Sequence, residues 1–448
     1  MVSAIIDKRQ ERLDLDTRSD PDAEESGKPL AESSPGKAIA RRDFLKLMGT
    51  AAIGALSAGC QSNPPSPTPI PTASLSPTHL PTASPPSTLI PTASPSSTPI
   101  PTASRSLTPI PTARPSPTRT PAVTRSLRPR VAIAQVARYE RQLVRQQMQT
   151  MLDNLGGVSD IIRRGARVAI KVNLTGGTDT QPLPKVSAIE SYVTHPEVVR
   201  ALGELLRDAG ASQLYIVEAV YDARSYPQWG YAEVAQSIGA SLVDLNDPGP
   251  YKGFTSAPVG KSWFLYESFT FNPILQEIDA FVSVAKIKCH WNCGVTHSMK
   301  NLVGLVPMVK YRLESSDTNR SAFHGKDDEF RVRLPKVILD LNRARPIHLA
   351  VLDGIKTVEG GEGPWHNIAP VELGVLIAGK NALAADSVAT AVMGFDPTAE
   401  YPTPPFLHGN NHLNLARELG LGTNRVEGIE IVGAAIKDAL HPFAPSRE

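Results

Sequence analysis

Cysteine is scarce in this chain: 448 residues contain three, Cys60, Cys289 and Cys293. That is too few for a disulfide-stapled secreted scaffold or a conventional cysteine-ligated iron–sulfur domain, so ordinary core packing must hold the fold. An excess of one charge is also missing. Lys and Arg number 46 against 44 Asp and Glu, for a formal net charge of +2. No basic run dominates, so no nucleic-acid partner is expected. Large apolar side chains are almost absent between residue 61 and about 125, where proline is dense. Such a stretch cannot bury enough surface to offset its ordering entropy. The chain from about residue 128 onward is long enough for one large core or two small ones.

What precedes the proline-dense stretch reads as an address. Arg41-Arg42-Asp43-Phe44-Leu45-Lys46 resembles the twin-arginine export signal, and a Gly- and Ala-rich apolar stretch follows at 47–58. That stretch falls short of the roughly 20 apolar residues of a spanning helix, a length suited to a signal peptide. It ends Leu56-Ser57-Ala58-Gly59-Cys60, which resembles a lipobox, with Ser57 where such boxes carry Leu. Two outcomes stand: a lipid on Cys60 that anchors the chain outside the cytoplasm, or plain cleavage to a soluble secreted protein. The expected partners are the twin-arginine translocation machinery and, through Cys60, the membrane.

From Pro71 the sequence repeats every ten residues: PTASLSPTHL, PTASPPSTLI, PTASPSSTPI, PTASRSLTPI and PTARPSPTRT. A solenoid unit must bury a face against its neighbours, and this unit offers only an isolated Leu or Ile. Proline at this density favours polyproline II and removes amide donors. The chain therefore divides into a signal region at 1–60, a disordered stalk at 61–127 and a folded domain at 128–448. At about 3.1 Å per residue, roughly sixty residues of the stalk reach at most ~190 Å.

In the folded part, Val- and Ile-rich runs recur at 131–136, 167–174, 213–218, 280–287, 348–353, 374–378 and 429–432, with helical patterns between several of them. Thr194 and Glu197 predict a capping box ahead of an apolar stripe through Val198, Val199, Leu202, Leu205 and Leu206, closed by Gly210. The fold class is α/β: a mainly parallel sheet with helices on both faces. The segment 251–271 reads as an inserted hairpin or lobe.

Ligands of such sheets bind beyond the carboxyl ends of the strands, and three strand ends carry polar residues. Lys171 and Asn173 open into Thr175-Gly176-Gly177, suited to gripping a phosphate or carboxylate; the bland alternative is a strand-end lysine reaching solvent. The segment 286–307 holds Lys286, Lys288, Cys289, His290, Cys293, His297 and Lys300, with Thr296 expected to cap a helix that aims Lys300 and Asn301 at the strand end. Cys289, His290, Cys293 and His297 are zinc-type ligands, while Cys289 and Cys293 can equally be a short-loop disulfide or free thiols. So many cations on one loop call for an anion or nearby carboxylates. At the third end, Asp353 and Glu359 border a Gly-rich loop suited to a hard metal or to proton transfer, or to nothing more than a solvated turn. Asp386, on a helix after Asn381, adds a carboxylate.

Five collinear segments resemble the family called domain of unknown function 362. They are VAIKVNL from Val168, THPEVVRALGELLRDAGA from Thr194, FVSVAKIKCHWNCGVTHSMKNLVGLVP from Phe281, LAVLDGIKTVEGGEGP from Leu349 and NALAADSVATAVMG from Asn381. The resemblance implies functional positions at Lys171, Asn173, His290, Lys300, Asn301, Asp353, Glu359 and Asp386. Many relatives carry a cysteine-rich, cluster-binding module that this chain lacks, so no iron–sulfur cluster is expected. Cys289 and Cys293 stand outside the family pattern.

The resulting expectation is an exported, membrane-anchored enzyme acting on a small anionic ligand. Lys171, Asn173, Lys288, Lys300 and Asn301 bind the anion, and Asp353, Glu359 and His290 carry the chemistry. Asp353, Glu359 and Asp386 are the candidates for holding a divalent metal. The alternatives are a non-catalytic ligand-binding surface lipoprotein and a metal or redox protein.

Overall fold

The computed structural model describes residues 128–447, apart from 180–182, 184, 327 and 328. The export signal at Arg41 and Arg42, the lipidation candidate Cys60 and the stalk all lie outside the described residues.

One ten-stranded sheet organises the rest, with the path β12-β1-β11-β9-β7-β2-β3-β4. In chain order its strands are β1 (Arg130–Gln135), β2 (Arg167–Lys171), β3 (Gln213–Glu218), β4 (Ala240–Asp244), β7 (Ala280–His290), β9 (Leu349–Glu359), β11 (Val375–Gly379) and β12 (Glu430–Gly433). Two short strands, β8 (Gly294–Thr296) and β10 (Ala369–Val371), fold back antiparallel on the ends of β7 and β9. Along the path every neighbouring pair is parallel except the two that involve β11. All the other strands of the path therefore end on the same side.

Alternation along each strand supplies the two faces. Val168, Ile170, Val282 and Val284 join one core cluster with α1 (Arg141–Asn154), α2 (Pro196–Asp208) and α3 (Tyr231–Ile238). Ala169, Phe281 and Ala285 face the other way, toward α4 (Phe330–Ala344), α5 (Ala382–Val392) and α6 (His412–Glu418). This double cover explains why β7 is buried along its whole length. Each fully buried Leu or Val of α2 contributes about 1.5–3 kcal/mol.

The predicted helix at α2 forms, but its cap differs. His195 is the N-cap, its Nδ1 accepting from the Glu197 N–H at 3.1 Å, and Pro196 takes the first helical position. Thr194 is drawn elsewhere: its hydroxyl accepts from the Asn173 N–H and donates to the Val284 carbonyl, tying β2 to β7. The inserted lobe is present as a separate antiparallel pair, β5 (Thr255–Pro258) with β6 (Ser268–Phe271). Buried Asp340 of α4 holds its connection by accepting the N–H groups of Phe264, Leu265 and Tyr266 at 2.8–3.0 Å. Among the described residues no helix is long and apolar enough to cross a membrane.

Thr296 caps no helix. It closes β8, and a 3₁₀ turn at Lys300–Leu305 follows instead of an α-helix. The hairpin from β7 to β8 turns at Gly294, whose φ of 78° favours glycine. A Cβ there would stand 2.4 Å from the Phe406 ring. Gly294→Ala should therefore destabilise the domain by on the order of 2 kcal/mol, seen as a lower urea midpoint with unchanged slope; an unshifted midpoint would show that this hairpin is not held by the turn.

Candidate anion-binding site

The strand ends singled out in the sequence meet on one side of the sheet, and hydrogen bonds show which residues belong together. Asn301 is the hub. Its Oδ1 accepts from Lys171 Nζ at 3.2 Å and Asn173 Nδ2 at 3.4 Å, and its Nδ2 donates to the Lys171 carbonyl and Ser283 Oγ. Lys171 Nζ also pairs with Glu218 Oε1 at 2.9 Å, and Glu218 Oε2 accepts from the Leu174 N–H at 3.1 Å. Burial pushes the Lys171 ammonium down to about 8, against the pull of Glu218. The 3₁₀ turn passes so close that a Cβ on Gly304 would lie 2.1 Å from Glu218 Oε1. Only glycine lets it pass.

Lys300 starts that turn. Ser298 and Met299 just before it are clamped from three elements: Asp386 of α5 accepts both of their N–H groups at 2.9 Å, Asn342 of α4 donates to the Met299 carbonyl, and Ser283 of β7 donates to the Ser298 carbonyl. Asp386 is thus a positioning residue for Lys300. Burial lowers the Lys300 ammonium below the ordinary lysine range, while Cys293, Glu362 and Glu218 pull it back and Arg320 adds repulsion. Among the described residues its nitrogen has no hydrogen-bond or ion-pair partner. Arg320 completes the group from a loop, donating through Nε to the Val306 carbonyl and through Nη2 to the Ala219 carbonyl. It has no carboxylate partner among the described residues.

On the β7 side, Lys288 Nζ donates to the Tyr192 and Glu362 carbonyls at 2.6 and 2.7 Å. Burial, reinforced by Lys300, holds it well below the ordinary lysine range. His290 is likewise held well below the usual imidazole range, chiefly by burial. Its Nδ1 accepts from the Asn292 N–H, which leaves the proton on Nε2, 4.0 Å from Glu362 Oε1. The Glu362 carboxylate also accepts from the Trp291 N–H and Trp365 Nε1 and lies 3.0 Å from His366 Nε2. Burial opposes its charge, but its hydrogen bonds with His366 and the Trp291 N–H hold it well below the usual carboxylate range.

The structure thus gathers Lys171, Asn173, Lys288, His290, Lys300 and Asn301. It does not gather the expected metal set. Asp353 is bonded to Lys286 at 2.8 Å, to Tyr139 Oη and to the His195 N–H; Glu359 accepts from the Ala444 N–H at 2.5 Å; Asp386 serves the Lys300 turn. Among the described residues no group of three or more His, Cys, Asp or Glu is placed to hold a metal ion. The zinc arrangement of Cys289, His290, Cys293 and His297 is therefore not assembled. Cys289 and Cys293 are free thiols buried in different core clusters.

Three participants were not singled out from the sequence. Glu218 ends β3 and the strand-end rule would have flagged it; Glu362 sits in the Gly-rich loop where Glu359 was preferred. Arg320 has no motif around it and could be found only in three dimensions.

Residues 168–391 match the model of a family described as a domain of unknown function, DUF362. The chain belongs to that family. Every residue of the cluster, from Lys171 to Glu362, lies inside the DUF362 segment. A thylakoid-associated protein of Synechocystis sp. is 27% identical over 278 residues, 61% of this chain and 77% of its own. Two solved structures show a distant likeness. One is a protein of Thermotoga maritima, 10% identical with a TM-score of 0.32, over 58% of this chain and 60% of its own. The other is the lactate racemase apoprotein of Thermoanaerobacterium thermosaccharolyticum, 11% identical with a TM-score of 0.34, over 59% and 57%.

The buried imidazoles generate a pH prediction. His195 and His412 are pushed down to about 4 and His297 to about 3, each chiefly by burial, and His290 is lowered as well. Unfolding frees each to take a proton near pH 6.5, so below that pH the unfolded chain binds more protons and stability falls as pH drops toward 4. Each histidine contributes a slope of about 1.4 kcal/mol per pH unit deep in that window. Urea midpoints at pH 7 and pH 5 should differ accordingly, with a shallower dependence in His297→Gln; equal midpoints would mean that these rings are already charged in the fold.

Proposed function

We propose that the DUF362 domain is an enzyme acting on a small anionic substrate, carried by an exported chain anchored through lipid on Cys60. The observation that carries the reading is Lys300: an ammonium without a partner among the described residues, set beside Lys171, Lys288 and Arg320 at the carboxyl ends of parallel strands. Clustered cations in a partly buried site repel one another, and an anion between them converts that cost into binding energy.

In this reading Lys171, Asn173, Asn301, Lys300 and Arg320 hold the anion. Asp353 and Glu359, engaged by Lys286 and Ala444, leave proton transfer to His290 and Glu362, where a neutral Nε2–H faces a carboxylate. That engagement also favours a second reading, a binding protein without chemistry. His290→Gln separates the two: an enzyme keeps its ligand and loses turnover, whereas a binding protein returns every ligand unchanged. Export and anchoring are supported by Arg41-Arg42 with the apolar stretch after them, and by Cys60 before the stalk.

Thermal-shift measurements across phosphorylated and carboxylated metabolites test the site. The wild-type protein should show saturable stabilisation, and Lys300→Met should weaken it at least tenfold while melting normally without ligand; an unchanged response would overturn the reading. For the address, Arg41→Lys with Arg42→Lys should keep the full chain in the cytoplasm of a host with twin-arginine machinery. Cys60→Ala should release it from the membrane fraction. Normal export of the double variant would reject the proposed route.

A further inference from the structure

We infer that the ligand's head group carries two negative charges on one tetrahedral oxyanion, as in phosphate or a phosphate monoester. This rests on the anion-site reading and deepens it. The Lys171 ammonium is matched by Glu218 at 2.9 Å. Lys288 Nζ is satisfied by two backbone carbonyls. The Glu362 carboxylate accepts from the Trp291 N–H and the Trp365 indole and lies against His366, so it is already committed to its own loop. Lys288, Lys300 and Arg320 all lack a carboxylate among the described residues, but Lys288 already donates to two carbonyls, so the cations that keep open N–H donors for a ligand are Lys300 and Arg320.

Their places in the fold bring these two charges to one spot. Arg320 Nη2 is fixed on the Ala219 carbonyl, and the Ala219 N–H donates to the Gly304 carbonyl in the turn that Lys300 begins. Nε and Nη2 of Arg320 are both engaged by carbonyls, which leaves Nη1 for a ligand. Together with the N–H groups of Lys300 it forms a donor set with no acceptor. A monoanion neutralises one of the two cations and leaves the other uncompensated in a partly buried site; a dianion neutralises both, and its several oxygens suit the spread of donors.

A second observation points to the same class. Asn173 Oδ1 is buried with no donor among the described residues. Its orientation is fixed by Nδ2 donating to Asn301 Oδ1, which also accepts from Lys171. An acceptor left open beside a cationic site calls for a ligand that brings an O–H. Hydrogen phosphate carries one, and so does the hydroxyl-bearing carbon frame of a sugar or polyol phosphate.

Isothermal titration of the full chain at pH 8 and low salt, with inorganic phosphate, sulfate and acetate as probes, tests the inference. Phosphate and sulfate should bind at least about thirtyfold more tightly than acetate. Lys300→Met and Arg320→Met should each weaken phosphate at least tenfold, and Arg320→Lys, which keeps the charge, should recover part of that loss. Acetate binding as tightly as phosphate would overturn the dianion inference while leaving an anion site in place. No saturable binding of any of the three would overturn the anion site itself. The wild-type ratio decides the matter even where a variant fails to fold.

Discussion

The Lys286 ammonium and the Asp353 carboxylate lie opposite each other on β7 and β9 at the centre of the sheet, both withdrawn completely from water. Removing two charges from water costs several kcal/mol each, and their attraction offsets that only when every remaining donor and acceptor is also met. Here they are met. Asp353 accepts from Lys286, Tyr139 and the His195 N–H, and Lys286 also donates to Tyr139 and the Lys356 carbonyl. Meeting the last of these requires the backbone to turn inward. Past this pair the register runs from Lys286↔Asp353 to Lys288↔Val358, an advance of two residues on β7 against five on β9. The extra residues of β9 bring the Lys356 carbonyl onto Lys286, so the bulge and the ion pair are one device. Removing either partner leaves a buried charge, a loss of about 3–5 kcal/mol. The same pair fixes where β7 continues, and hence where Lys288 and His290 are delivered.

Downstream of that constraint the fold holds cations together that would otherwise separate. The Lys300 turn is 3₁₀ and short, and it is clamped by Asp386, Asn342 and Ser283 from three different elements. Glycine at 304 lets it press on the Lys171–Glu218 pair, and the Gly304 carbonyl locks onto Ala219. Such clamping makes sense where electrostatics push the other way. A loop free to relax would carry Lys300 into solvent, and the site would dissolve as a site. Rigid support means that the repulsion is not relieved by motion, which in the proposed reading leaves it available to an anion as binding energy.

Much of this was legible in the sequence, for identifiable reasons. The parallel sheet showed because strands buried on both faces are continuous in Val and Ile, and the strand-end rule pointed to Lys171, Asn173, Lys288, His290 and Lys300, which the fold places on one side of the sheet. The edge strand β4 escaped because Ala240–Asp244 is only partly buried and carries no apolar run. Thr194 misled because a hydroxyl before a helix can bond its own helix or a neighbouring strand, and only the tertiary position of Val284 decides. For Cys289 and Cys293 the spacing left a disulfide and free thiols both open, and packing decides for free thiols by putting each in its own apolar cluster. Arg320 was invisible because its partners are the backbone carbonyls of residues 219 and 306, and no side-chain pattern records a carbonyl.

The carboxylates show most clearly how residue type alone leaves chemistry open. Asp353, Glu359 and Asp386 looked like metal ligands or acids because each stands near a strand end, a Gly-rich loop or a helix start. In the fold each is consumed by a structural bond: to a buried ammonium, to the Ala444 N–H, and to two amides of the Lys300 turn. A polar group that is buried and fully bonded has no free energy left to offer a substrate. One that is held rigidly with its bonds unmet must find them in water or in a ligand. By that criterion Asp353 and Asp386 are spent on the scaffold, and Lys300, Arg320 and Asn173 are the residues on which the proposed anion site rests. Asp386, inside the family segment, holds still the turn on which Lys300 depends.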